Sequence, residues 1–234
     1  MRLAIIPARG GSKRIPRKNI RRFRGKPMIA WSIAAAIKSD CFDAIIVSTD
    51  DPEIAAIAEA HGATAPFLRP PELSTDHAST MPVLEHAVEA YQDATSEKVD
   101  IACCIYATAP FVRSQDLQKG RQLLEAQPDL DFAFSVTSFP FPIQRALSLN
   151  PQGRVEMLHP EFEQSRSQDL PEWFHDAGQF YWLRPPSLKI HDGFFTANSA
   201  PVILPRERVQ DIDTPEDWQC AELAHELLEK GGRL

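Results

Sequence analysis

Residues 7–20, Pro7-Ala-Arg-Gly-Gly-Ser-Lys-Arg-Ile-Pro-Arg-Lys-Asn-Ile, set two adjacent glycines among several cations. Gly10 and Gly11 let the backbone come close to a phosphate and turn N–H groups towards it. Arg9, Lys13 and Lys18 add charge that suits the bridging and terminal oxygens of a triphosphate. The spacing is neither that of a GxxxxGK[ST] loop nor that of the GxGxxG dinucleotide fingerprint. A solvated basic turn is the plain alternative. Solvation alone does not account for two glycines, Ser12 and these cations together.

A second cluster lies far along the chain, Val209-Gln-Asp-Ile-Asp-Thr-Pro-Glu-Asp. In extended backbone Asp211 and Asp213 point to the same side, because side chains alternate with period two. Paired carboxylates suit a hard divalent cation such as Mg²⁺, which would link them to nucleotide phosphates. A local reading competes, with Thr214 as N-cap, Pro215 at the first helical position and Asp217 completing a capping box. It accounts for Thr214 and Asp217 and leaves Asp211 without a role.

Two further stretches are less specific. Residues 67–80 place Arg69 and several hydroxyls in a proline-bounded loop ahead of a helix. Arg166-Ser-Gln-Asp-Leu-Pro and His175-Asp-Ala-Gly-Gln-Phe-Tyr-Trp combine cationic, amide and aromatic side chains. Those could clamp a carboxylated, amide-bearing sugar or pack a dimer arm, and residue chemistry does not separate the two. The seven histidines show no HExxH-type spacing, which argues against zinc.

Charge is distributed unevenly. Residues 1–39 hold no Asp or Glu but contain Arg2, Arg9, Lys13, Arg14, Arg17, Lys18, Arg21, Arg22, Arg24, Lys26 and Lys38. The net charge is nonetheless −7. A cationic segment on an acidic protein points to a local anionic ligand. Nucleic acid is the competing partner, but the acidic remainder would repel an extended polyanion, so a compact phosphate ligand is favoured. No apolar run approaches the roughly 20 residues needed to span a membrane. The four cysteines lack zinc spacing, and a cytoplasmic protein with reduced thiols is expected.

The elements that must hold these groups alternate. Apolar runs at 3–6, 44–47, 101–107 and 132–137 read as buried strands. Helices are expected at 27–38, 52–61, 81–94, 114–127 and 215–230, with a further strand at 201–204. This rhythm implies one α/β domain over 1–234, doubly wound around a mostly parallel sheet. The loop at 7–20 follows the first strand, so it belongs at the carboxyl edge, where open α/β sheets bind ligands. Residues at approximately 138–200 read as an irregular insertion with short strands, serving dimerisation and sugar binding.

The segment 6–20 resembles the signature ARGGSK-x-x-P-x-KN of the CMP-sialic acid synthetase (acylneuraminate cytidylyltransferase) family. The resemblance continues through Gly25-Lys-Pro-Met-Ile, Ile46-Val-Ser-Thr-Asp-Asp, Leu68-Arg-Pro-Pro-Glu-Leu and Asp211-Ile-Asp-Thr-Pro-Glu-Asp, in order and over essentially the whole chain. It implies a nucleotide-diphospho-sugar transferase fold and a cytidylyl transfer from CTP to an acidic nine-carbon 2-keto sugar, with Mg²⁺ as cofactor. Tyr106-Ala-Thr-Ala-Pro and Ala177-Gly-Gln-Phe-Tyr are more similar to the pseudaminic acid branch than to the neuraminic acid branch. Arg14 departs from the family by replacing a glycine.

Carried over position by position, the resemblance implies that Ala8, Arg9, Gly10, Gly11, Ser12, Lys13, Lys18 and Asn19 hold the nucleotide. Arg69 and Thr80 would lie near the cytidine. Asp211 and Asp213 would bind the metal, while Arg9, Lys13, Lys18 and Asp211 would carry catalysis. Tyr106, Arg166, Gln179, Tyr181, Phe194 and Phe195 become candidates for the sugar, and a homodimer is expected. Neuraminic or legionaminic acid as acceptor, a small-molecule kinase, and an inactive nucleotide-binding protein are the alternatives. Pyrophosphate release separates the first from the second; absence of turnover would favour the third.

Overall fold

The computed structural model describes residues 1–233. The chain opens with β1 (Arg2–Pro7), whose residues Leu3, Ala4, Ile5 and Ile6 are fully buried. A near-continuous apolar run is what a strand covered on both faces requires. A short ribbon, β2 (Arg22–Phe23) and β3 (Lys26–Pro27), leads into α1 (Met28–Ser39). The alternation continues with β4 (Ala44–Ser48), α2 (Pro52–Ala60), α3 (Thr80–Thr95), β5 (Ile101–Ile105), α4 (Ser114–Ala126) and β6 (Phe132–Ser138). Then come a hairpin of β7 (Leu147–Leu149) and β8 (Val155–Met157), β9 (Phe174–Leu183), β10 (Ser199–Ile203) and α5 (Pro215–Lys230).

Six strands form the main sheet in the order β10-β6-β9-β5-β1-β4. The β1–β4, β1–β5 and β6–β10 pairings are parallel, and β9 runs antiparallel to both its neighbours. α1, α2 and α4 pack on one face around Ile33, Ile54 and Leu117; α3 packs on the other around Leu84 and Val88. The chain adds β4 to one side of β1 and β5 to the other. Such a reversal is the switch point at which α/β sheets open a crevice.

The expectation for 138–200 needs correction. Phe174–Leu183 is not part of an irregular insertion but a ten-residue strand in the middle of the main sheet. Phe180–Leu183 pairs with β5, Tyr181–Leu183 and Phe174–Asp176 pair with β6, and Phe180, Tyr181 and Trp182 are fully buried. A bulge hides the pattern. Between the pairs Phe134↔Tyr181 and Val136↔Asp176, β6 advances two residues while β9 advances five. Ser135 Oγ accepts from the amides of Gln179 and Phe180, both at 3.2 Å, which compensates the broken ladder. The protruding arm is therefore confined to residues 139–173.

Gly120 shows how closely α4 sits on this strand. A Cβ there would come within 2.4 Å of Trp182 Cδ1 and 3.1 Å of Phe180 Cε2. Gly120→Ala should therefore destabilise the fold by ~1–3 kcal/mol, the scale of overpacking a core. Urea denaturation would show this as a lower midpoint with an unchanged slope.

Candidate nucleotide site

β1, β4 and β5 all end at one edge of the sheet, and a cleft of about 490 Å³ opens beyond them. Arg9, Ser12, Lys13, Arg14, Lys18 and Asn19 line it from the basic loop; Arg69, Asp76, Thr80 and Tyr106 line it from the opposite side. The loop is held by its own sequence. Ala8 N donates to Ser48 O at 2.9 Å, Gly10 N to Asp50 Oδ1 at 2.9 Å, and Asn19 Nδ2 to Arg9 O at 2.9 Å. A Cβ on Gly10 would meet Asp51 Oδ2 at 2.7 Å, so glycine is required by close approach. Asn19 thus serves as a brace for the loop as well as a cleft residue.

Two distant segments meet through a hydrophobic peg. Ile15, from the basic loop, and Ile212, from between the two aspartates, are both buried in one cluster with Phe23, Phe111 and Trp218. Lys18 Nζ donates to Ile212 O at 2.8 Å and lies 3.2 Å from Asp213 Oδ1. Burying Ile15 and Ile212 together therefore fixes the cations against the carboxylates. The capping box read from Thr214 and Asp217 is present and starts α5, and Asp217 Oδ2 also accepts from the Asp213 amide at 3.1 Å.

The charges pair across the cleft. Arg9 Nη1 lies 2.6 Å from Asp76 Oδ1, and Lys13 also pairs with Asp76. Arg14, the residue that departs from the family pattern, reaches Asp213 at 2.8 Å. Asp211 differs from these. It is exposed and, among the described residues, has no hydrogen-bond or ion-pair partner. Partial desolvation, then the nearby Asp213 charge, raises its carboxyl above the usual range. A carboxylate left unpartnered beside a second one is a donor set that a hard cation would satisfy.

Arg69 is buried and has carbonyl and hydroxyl partners rather than a carboxylate. Its Nε donates to Ser48 Oγ at 3.1 Å, Nη2 donates to Ser48 O, and Nη1 to Leu73 O at 3.4 Å. Burial lowers its pKa from the ordinary arginine value. Arg69→Ala would strand these acceptors, at a cost of ~1–3 kcal/mol. A melting temperature lower by roughly 5 °C, with weaker CTP binding, is the expected calorimetric result.

Tyr106 reaches the cleft, with its hydroxyl 3.3 Å from Thr80 Oγ1, and burial raises its pKa. Behind it stands an aromatic wall. Tyr106 packs on Tyr181 at 5.3 Å, Tyr181 stacks on Phe194 at 4.3 Å, and Phe195 lies against Phe134 at 5.4 Å. The remaining sugar candidates lie off the cleft lining of the single chain. Tyr181 and Phe194 are core residues, and the Tyr181 hydroxyl is taken by Asp176 Oδ2 at 2.5 Å. Gln179 is buried too, and its Nε2 donates to Arg208 O at 2.6 Å, bracing the backbone that leads to Asp211. Arg166 lies on the arm, paired with Asp169, and does not line the cleft. Phe195 is exposed over 72% of its surface.

Comparison with known proteins decides the family. A family model described as cytidylyltransferase matches residues 3–171. The chain belongs to the cytidylyltransferase family. It is 44% identical over 225 residues to a pseudaminic acid cytidylyltransferase of Campylobacter jejuni, covering 96% of each protein. It is 30% identical to a CMP-N,N'-diacetyllegionaminic acid synthase of Legionella pneumophila, again over 96% of each. Among solved structures, a CMP:2-keto-3-deoxy-manno-octonic acid synthetase complexed with CTP superposes with a TM-score of 0.69 at 19% identity, covering 97% of this chain and 98% of that one. This last likeness shows the shared cytidylyltransferase fold.

Two cleft residues were not legible beforehand. Asp76, in Leu-Ser-Thr-Asp-His, gave no signal beyond a polar loop, and Arg14 read as a cation in place of a family glycine, with no partner indicated. Their roles as counter-charges depend on long-range placement. The described helices include none long and apolar enough to cross a membrane.

Proposed function

We propose that this cytidylyltransferase joins CTP to the anomeric hydroxyl of a nine-carbon 2-keto sugar acid, with pseudaminic acid as the acceptor. The observation that carries the reading is that the cleft cations Arg9, Lys13 and Lys18 sit beside an aspartate pair, Asp213 contacting Lys18 and Arg14 and Asp211 standing next to it. A sugar oxygen would form a bond to the α-phosphorus, the bond to the β-phosphate oxygen would break, and pyrophosphate would leave. The choice of pseudaminic acid rests on the 44% identity to the Campylobacter jejuni protein and on the match at residues 106–110 and 177–181.

In-line displacement at phosphorus depends chiefly on positioning and charge stabilisation. Arg9 and Lys13 would hold the leaving phosphates, while Lys18 offers charge next to the carboxylates. Gly10 and Gly11 leave room for the backbone to follow the phosphate chain. Asp211 and Asp213 would hold Mg²⁺, and bound Mg²⁺ supplies charge neutralisation and acidifies an attacking hydroxyl. Arg69 and Thr80 would border the cytidine; Tyr106 and the exposed Phe195 would border the sugar.

The arm supports a homodimer. Phe141, Leu149 and Val155 are 80%, 73% and 65% exposed on it, an apolar surface that a second copy would cover. Arg166, on the same arm, could then serve the partner's cleft. A cytoplasmic setting, where CTP is available, fits the free cysteines.

The test is pyrophosphate release with CTP and Mg²⁺ against pseudaminic, neuraminic and legionaminic acids. Response to pseudaminic acid alone is expected. Response to one of the others instead would keep the reaction and overturn the acceptor.

A further inference from the structure

Asp76 has no counterpart in the reaction just described, yet it makes the closest contacts to the two cations that the reaction needs. Its Oδ1 lies 2.6 Å from Arg9 Nη1, and its other oxygen pairs with Lys13. It is the one acidic residue among those lining the cleft, which otherwise carries Arg9, Lys13, Arg14, Lys18 and Arg69. The second carboxylate that pairs with cleft cations, Asp213, has a different prospect. Asp213 would help to hold the proposed metal, which would leave Lys18 and Arg14 free for phosphate. Asp76 sits apart from the aspartate pair and gains nothing in exchange.

The position of Asp76 adds to this. It lies in the short connection between the 3-10 turn Pro71–Leu73 and α3, four residues before Thr80, which itself lines the cleft. That turn is tied down through Arg69, whose Nη1 contacts Leu73 O at 3.4 Å. The Asp76 carboxylate is therefore offered from a tethered loop to the same N–H donors that would hold a phosphate. Its contacts with Lys13 and then Arg9 hold it below the ordinary carboxylate range, so it is ionised throughout the neutral region.

We propose that Asp76 is a built-in competitor for the phosphate-binding cations, a positioning residue that retakes Arg9 and Lys13 as pyrophosphate departs. The inference rests on the phosphate role assigned above to Arg9 and Lys13. In the free protein Asp76 keeps the two cations ordered at the cleft. Bound phosphates displace it. After transfer, it competes with pyrophosphate for the same donors, which weakens product retention. Its contacts are partly exposed, so each is of modest strength and readily exchanged.

Calorimetric titration of inorganic pyrophosphate into the whole protein, wild type against Asp76→Asn, tests this. The asparagine keeps the side-chain shape but has no charge with which to compete. Pyrophosphate should bind the variant about three- to tenfold more tightly, with stronger product inhibition against CTP. The KM for the sugar acid should stay unchanged, a split that a merely structural role would not produce. Asp76→Glu should restore wild-type affinity. Equal or weaker binding of pyrophosphate to Asp76→Asn would overturn the competitor role, while wild type would still show the phosphate site. Failure of wild type to bind pyrophosphate would remove the phosphate site itself, and the inference with it.

Discussion

Asp211→Asn should abolish turnover in Mg²⁺ while leaving the ligand-free protein at least as stable as wild type. Two properties of Asp211 lead there. Its carboxylate is unpartnered beside Asp213, which makes it the ligand the cation would gain most from. Its pKa is raised, by desolvation first and the Asp213 charge second. A carboxylate whose folded pKa is raised favours folding in its protonated form. That contribution is present below the unfolded value and is lost as pH rises through the folded pKa. At neutral pH the ionised Asp211 is therefore a small burden on the free fold, which asparagine removes.

Differential scanning calorimetry and a turnover assay together check this. The melting temperature of the variant should equal or exceed that of wild type without ligand, while CTP plus Mg²⁺ should stabilise wild type alone. Because metal binding needs the ionised form, wild-type activity should fall on acidification through the raised Asp211 pKa, above the usual aspartate value of about 3.9. Near-wild-type turnover of Asp211→Asn would sink the metal assignment.

Lys18→Ala should lower kcat by roughly a hundredfold or more, the scale of losing one transition-state charge contact. Lys18 is three-quarters or more buried by its neighbours, and its Nζ joins Ile212 O and Asp213 Oδ1 at the seam between the basic loop and the aspartates. The peg formed by Ile15 and Ile212 stays in place without it, so the fold should survive. Steady-state kinetics beside a thermal melt separates the outcomes. A lower melting temperature with unchanged kcat would make Lys18 a tie between segments and nothing more.

Much of this was legible because local rules and the tertiary fold agree. The apolar runs of β1 and β5 are buried on both sides, and α5 begins at the capping box that Thr214 and Asp217 spell out. Glycines between cations after a first strand do lie at the carboxyl edge of the sheet. What failed was non-local. β9 escaped notice because its bulge interrupts the period of two and because a strand added from late in the chain pairs with β5 and β6 across long separations. Tyr181 and Phe194 read as aromatic candidates for the sugar, and only the fold shows that they stack in the buried core behind Tyr106. Gln179 reads as an amide for a substrate; that its Nε2 donates to the Arg208 carbonyl, 29 residues further on, is visible only in the fold. Asp76 and Arg14 acquired meaning only when the fold placed them opposite Arg9 and Asp213.

The most direct test of the central claim is phosphorus NMR of the products formed from CTP, pseudaminic acid and Mg²⁺. Attack at the α-phosphorus should give a CMP-sugar phosphodiester and free pyrophosphate in equal amounts. Formation of CDP with a phosphorylated sugar would place the chemistry at the γ-phosphorus and contradict the arrangement argued for Arg9, Lys13, Lys18 and Asp211.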